Sequence, residues 1–418
     1  MMYNNYYKKR IISFKDIITV AVIFVFLFQQ PLQEKVSVFQ YFDDLLTALS
    51  LGYFLLKRNR NMIYLKMVAL MLVILLYGLM CNHLSGVDRT SSAIFMDIIY
   101  IFKIFIMYIG ASEYYKNYQD IKGILRFTAK SIRIIVIIAF VLLLVSQFMN
   151  TGMVGKARYG FGSYAFIYKT AAYFSLYCVG YITILTIDLH EGMHKKYNLL
   201  CILLNLILWV STMRSRAFAY VAIYIVLYVI LIKGEKHLTI KKFKKRYFVF
   251  ISIVAIAIAK NQIENYFYST VTARVILLQT GVIVMKRFFP LGAGFATYGT
   301  EAAKKFYSPL YYEHGVNSFW ALTEDGSELT DCYWPALFGE LGFIGTMLMV
   351  ILFYMLFKDI IMRARSNRYL YFAIIFFSMT MFASSTVTAV FASSITVGYM
   401  FILGMLLPCL ESNLESTK

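Results

Sequence analysis

The feature that most constrains this chain is a repeated one. Runs of about 20 mostly apolar residues, the length that crosses a bilayer, recur from near residue 14 to near residue 410. Single-core soluble domains rarely exceed about 250–300 residues. A bilayer lifts that limit, so the 418 residues are expected to form one polytopic membrane domain, 1–418. Only 15% of residues are charged and 60% are hydrophobic, against roughly 25% charged in soluble domains. Hydropathy predicts an all-α integral membrane protein of about 12 transmembrane helices, at 14–32, 38–56, 62–81, 92–112, 129–149, 162–187, 197–213, 216–232, 247–260, 332–357, 369–388 and 392–410. The run at 247–260 is the shortest of these.

Basic residues orient the spans, because cytoplasmic loops carry the excess of Lys and Arg. Lys8, Lys9, Arg10 and Lys15 precede the first apolar run, and no small-residue cleavage site follows it, so an uncleaved helix is expected there. With that end inside, "KRNR" (57–60), "KKFKKR" (241–246) and "RARSNR" (363–368) all fall inside. Both termini are then cytoplasmic. The formal net charge of +19 is read as anchoring against anionic lipid and calls for no nucleic acid. Cys81, Cys178, Cys201, Cys332 and Cys409 show no CxxC spacing, so neither a disulfide framework nor a zinc site is indicated.

This orientation leaves residues 261–330 as one long extracytoplasmic loop between spans 9 and 10. Loops beyond about 12–15 residues are usually functional or disordered, and this one is rich in aromatics. Its apolar stretch "VTARVILLQTGVIV" (271–284) is too short to span, and predicts an interfacial or cavity-capping helix ending at Lys286, Arg287 and Pro290. Arginines off the cytoplasmic side are the exceptions to the charge rule: Arg158, Arg214, Arg216, Arg274 and Arg287, with Arg89 in a separate short loop. Their planar, permanently charged forks suit phosphate; headgroup contact or snorkelling is the alternative. Within spans, Lys103 and Lys169 require partners or a polar channel, with Asp43, Asp44 and Asp97 the candidate partners.

"PLGAGF" places Gly292 and Gly294 where a backbone can approach a ligand or turn tightly, with Tyr298 and Gly299 just beyond. No Lys-Ser or Lys-Thr follows, which excludes a P-loop. The loop also holds Glu313, His314, Glu324, Asp325, Glu328 and Asp331. A glycosyl acceptor hydroxyl needs a general base, and His314 or a carboxylate such as Asp331 fits. There is no HExxH and no second histidine nearby, so no metal or other cofactor is expected. "FGELGFIG" spaces Gly339, Gly342 and Gly345 as a small-residue stripe on a helix, with Glu340 beside it.

Taken in order, "TMRSRAF", a loop arginine, "PLGAGFATYG", "YSPLYYEHG" and "LTDCYWPALFGELGFIG" resemble the O-antigen ligase and polymerase superfamily of bacterial envelope proteins. The likeness covers roughly residues 205–360, and the "DCYWP…GELGFIG" ending looks most like Wzy-type capsular polymerases of Gram-positive bacteria. Arg216 matches the family's turn arginine by its place before the apolar run. "EHGVNSF" separates His314 from Asn317, unlike the ligase branch, where His and Asn are adjacent. The resemblance implies a GT-C-like glycosyltransferase of the bacterial cytoplasmic membrane, acting on undecaprenyl-pyrophosphate-linked oligosaccharides. It implies Arg274, Arg216, His314 and Asp331 as catalytic. Arg158, Arg214, Arg287, Gly292, Gly294, Tyr298 and Glu340 would then bind substrate. The flippase and chain-length regulator of such a pathway are the implied partners. A ligase transferring finished glycan, and a flippase or transporter, are the competing readings.

Overall fold

The computed structural model describes residues 13–116, 118, 121–191, 195–233, 272–365 and 367–415. The apolar run at 247–260, the start of the long loop and the basic run at 241–246 lie outside the described residues. Helices follow in the order α1 (Phe14–Lys35), α2 (Phe42–Leu56), α3 (Met62–Ser85), α4 (Ser91–Tyr115) and α5 (Ile121–Val145). A hairpin of β1 (Val154–Arg158) and β2 (Phe161–Tyr164) comes next. Then come α6 (Ala171–Glu191), α7 (Lys195–Ser211), α8 (Ser215–Tyr228), α9 (Ala273–Arg287), α10 (Glu301–Lys305), α11 (Pro309–Glu313), α12 (Tyr333–Ala364), α13 (Arg368–Ser385) and α14 (Ser394–Glu415). Seven of these are long and apolar enough to cross a membrane: α1, α3, α4, α5, α6, α8 with the π-turn that follows it, and α12. The protein is membrane-embedded and, apart from the hairpin, its described secondary structure is helical.

Capping residues set several of the starts. Ser13 and Asp16 form a capping box on α1. Asn61, Thr90, Thr272, Thr300, Ser308 and Asn367 each accept a backbone N–H in the first turn of the helix they precede, satisfying donors that the helix itself leaves orphaned. Outward faces such as Leu72 and Leu76 of α3 or Ile134, Ile138 and Val141 of α5 are apolar and exposed. They would bury only against hydrocarbon. The interior is aromatic: Tyr168 stacks on Tyr177 at 4.1 Å, and Phe353 sits 4.6 Å from Phe391.

Consecutive helices alternate between two ends of the bundle. At the near end, Lys57 pairs with the buried Glu113 at 2.7 Å, and Glu113 also receives the Asn61 N–H. At the far end lie the hairpin, the α3–α4 turn, the α7–α8 turn and everything from residue 272 to residue 332.

Two expected spans are corrected. Residues 162–170 are not helical: Tyr159 and Gly160 both have positive φ, 54° and 81°, the signature of a two-residue hairpin turn. α6 therefore begins only at Ala171. Lys169 consequently lies ahead of that span and is exposed, its backbone N–H donated to Gln30. α5 begins at Ile121, earlier than expected. Lys103 is buried in α4 and pairs with Asp43 at 2.7 Å and Asp44 at 3.6 Å, so its role there is structural pairing.

Candidate functional site

The far end is organised by a break in α12. Gly342 has φ 60° and ψ −158°, so the helix is interrupted inside its apolar length. Backbone groups freed in an apolar setting must find partners, and the 290–294 segment supplies them. Ala293 donates to the Gly339 carbonyl at 2.9 Å, Gly294 to the Glu340 carbonyl at 2.8 Å, and Ile344 donates to the Pro290 carbonyl at 3.3 Å. The approach is close enough to require glycine on both sides. A methyl group at Gly342 would sit 1.8 Å from the Leu291 oxygen, and one at Gly292 would sit 2.1 Å from the Glu340 oxygen. The two glycine motifs of the sequence are therefore one joint, and "GELGFIG" is not an unbroken small-residue stripe.

Side chains from two further helices hold the inserted segment. Asn82 of α3 donates to the Phe295 carbonyl at 2.9 Å and accepts the Phe295 N–H at 2.8 Å, while Ser85 donates to Ala293. Asp97 of α4 accepts the Ala296 N–H at 2.8 Å. Glu340 accepts from the Tyr298 N–H at 3.1 Å and the Thr300 hydroxyl at 3.0 Å. Asp97 and Glu340 are fully buried, and each keeps one carboxylate oxygen, Asp97 Oδ1 and Glu340 Oε2, without a hydrogen-bond partner. Tyr298 is buried, and its hydroxyl donates to the Leu277 carbonyl, one turn past Arg274. Gly292, Gly294, Tyr298 and Glu340 thus form the wall on which α9 rests. Asn82 and Asp97 are the parts of this joint that sequence reasoning did not assign to it. An acid within a span was a signal for Asp97, but it pointed to Lys103.

Above that wall, four arginines from three chain segments come together. Arg214 is the N-cap of α8 and Arg216 lies in its first turn. Arg158 ends β1, and Arg274 is in the first turn of α9. Burial, then the charges of Arg158, Arg216 and Arg274, push the Arg214 guanidinium down to about 10, against the pull of Asp331. Its Nε is buried without a hydrogen-bond partner. Arg274 donates from Nε and Nη2 to Asp331 Oδ2, at 3.1 and 2.7 Å, and Arg216 donates to the Ala172 carbonyl at 3.2 Å. Tyr159 of the hairpin meets Ser215 at 3.1 Å, closing the hairpin over the α7–α8 turn. Met213, just before Arg214, has φ 50°, a conformation few non-glycine residues adopt.

These contacts also gather helix starts. α6, α8, α9 and α12 begin at Ala171, Ser215, Ala273 and Tyr333, next to the residues just described, and neither α8 nor α12 has a side-chain cap. Helix N-termini carry partial positive charge and free N–H groups. Guanidinium forks and helix starts together offer the kind of donors that suit an anion.

Other predicted residues fall elsewhere. Arg287 closes α9, and at about 1.5 Å per residue the 15-residue helix sets it roughly 20 Å from Arg274. There it pairs with Glu313, beside His314. Burial and Arg287 lower the His314 pKa, with Glu313 opposing. The structure thus separates Arg287 and His314 from the arginine cluster. Asp331 is in the cluster, as the partner of Arg274. Beside it, burial pushes the Cys332 thiol up to about 12, which disfavours a thiolate nucleophile. Glu301 accepts the Thr330 hydroxyl at 3.0 Å, and Glu324 accepts the Tyr312 hydroxyl. Among the described residues no group of three or more His, Cys, Asp or Glu side chains could hold a metal. In comparisons with known proteins, no family model and no curated protein matches this chain.

Proposed function

We propose that the protein is a polysaccharide polymerase of the bacterial cytoplasmic membrane. In this reading it has about twelve spans in a GT-C-like arrangement, cytoplasmic termini, and its far end outside. The growing glycan, carried on undecaprenyl pyrophosphate, is transferred to a second lipid-linked repeat unit. As the anomeric bond breaks, negative charge develops on the departing pyrophosphate, and fixed guanidinium groups and helix N-termini stabilise it without reorganising. The observation that carries the reading is the gathering of Arg158, Arg216 and Arg274 about the half-buried Arg214, with Asp331 paired to Arg274. A soluble phosphate enzyme would need no such cluster at the end of a membrane bundle. A lipid-linked phosphate would be delivered to it.

Losing a hydrogen bond to a charged group costs about 1.5–3 kcal/mol, so Arg274→Ala is expected to lower polymerisation by about ten- to a hundredfold. Arg274→Lys keeps the charge but loses the fork and should fall in between. Arg58→Ala, exposed at the near end, serves as the control and should be silent. Polymer length on gels, at matched protein levels, checks this. A normal ladder from Arg274→Ala would overturn the site.

A further inference from the structure

Transfer of a glycan to a hydroxyl needs a group to take the hydroxyl proton, and among the described residues the far end offers few free ones. His314 is remote from the cluster. Asp331 is held by two N–H groups of Arg274. Glu301 is engaged by Thr330, and Glu324 by Tyr312. Asp325 is exposed to solvent on the same turn as Glu324.

Glu328 differs from all of these. It sits three residues before Asp331, and a turn fixes it there: the Asp331 N–H donates to the Glu328 carbonyl at 3.1 Å. Its own N–H donates to the Ala321 carbonyl at 3.2 Å, and the intervening Leu329 is fully buried. The backbone on both sides of the side chain is therefore anchored. The carboxyl is half-buried and within electrostatic reach of Arg274, Asp331 and Cys332. Among the described residues no hydrogen bond engages it.

Resting on the polymerase reading, we propose that Glu328 is the general base of the transfer, with the Arg274–Asp331 pair beside it. In the step, Glu328 takes the proton of the acceptor sugar hydroxyl as that oxygen bonds to the donor's anomeric carbon. The bond from that carbon to the pyrophosphate oxygen breaks, and its electron pair leaves on the lipid pyrophosphate, next to the guanidinium groups. Glu328 then returns its proton to water. Its surroundings suit this work. Burial raises its pKa, and Asp331 adds to the rise while Arg274 opposes it, which strengthens the ionised form as a proton acceptor.

The test uses membranes of the producing cells, which hold the lipid-linked units, and the purified full chain with undecaprenyl pyrophosphate in detergent as the binding probe. Glu328→Gln is expected to lower turnover about 10²–10⁴-fold with probe binding unchanged, whereas Arg274→Ala should weaken both. Glu328→Asp should keep measurable turnover and move the acid limb of its pH profile. Formate should restore part of the activity of Glu328→Ala, which a merely structural residue would not allow. Glu324→Gln is the control, expected to be unchanged. Full turnover from Glu328→Gln, while Arg274→Ala fails, would overturn the base assignment alone. Full turnover from Arg274→Ala would overturn the polymerase site and the base with it.

Discussion

Gly342 shows how much one residue can specify. It ends one helical segment and begins another, and it leaves room for a carbonyl where any side chain would collide. Gly342→Ala meets both a positive φ and an oxygen at 1.8 Å. Strain of that kind costs about 1–3 kcal/mol, and overpacking adds a similar amount. Its unfolding temperature in detergent should drop by several degrees. Gly52→Ala is the matched contrast: nothing lies within 4 Å of the added methyl, in a helix with ordinary dihedrals. It should be neutral or stabilising by up to about 1 kcal/mol. Equal losses from the two would deny the joint its role. The arginines argue differently at this scale. Arg158, Arg214, Arg216 and Arg274 stood out in the sequence because each breaks the charge asymmetry of the loops. Their separate outer segments lead to the expectation that Arg274, Arg216 and Arg158 converge on one outward-facing cavity; the position of Arg214 among them comes from the structure.

At the scale of elements, the site depends on two pieces that local patterns conceal. The hairpin that brings Arg158 to the α7–α8 turn lies in "GKARYGFGSYAFIY". Its later half is apolar and aromatic, so it reads as the start of a span. The pairing of Tyr164 with Val154 is a non-local fact that hydropathy does not contain. Likewise, glycines three apart in "GELGFIG" satisfy a helix pattern. Only the neighbouring 290–294 backbone reveals why that helix must break. α1, α3, α4, α7 and α13, by contrast, start within one or two residues of expectation, because uninterrupted apolar length and a capping residue suffice to define most of them. The clamp on the inserted segment can be tested through Asn82. Asn82→Ala leaves the Phe295 N–H and carbonyl without the partner they have now. Each buried unpaired group costs about 1–3 kcal/mol. Limited proteolysis should then cut near residues 288–300 at protease levels that spare the wild type; unchanged resistance would show that Asn82 does not hold the segment.

For the molecule as a whole, the membrane orientation proposed from charge is one the fold makes measurable. In a background lacking the native cysteines, Ser327→Cys and Asn59→Cys place thiols at exposed positions near opposite ends of the bundle. An impermeant thiol reagent on intact cells should label position 327 and spare position 59. The reverse pattern would put the arginine cluster in the cytoplasm, away from any exported glycan.

The broken helix also bears on how the chain is made. Ribosomes deliver residues in order, so Asn82 and Asp97 enter the membrane first, the 290–294 segment next, and α12 last. Asn82 and Asp97 are in place before Phe295 and Ala296 emerge, and the 290–294 segment before the break in α12. The final stretch, α12 through α14, then inserts as the closing piece of an assembly already waiting. Expressed without residues 288–300, that stretch would carry a span with unmet backbone groups at mid-length, which the insertion machinery and membrane proteases would treat as unfinished.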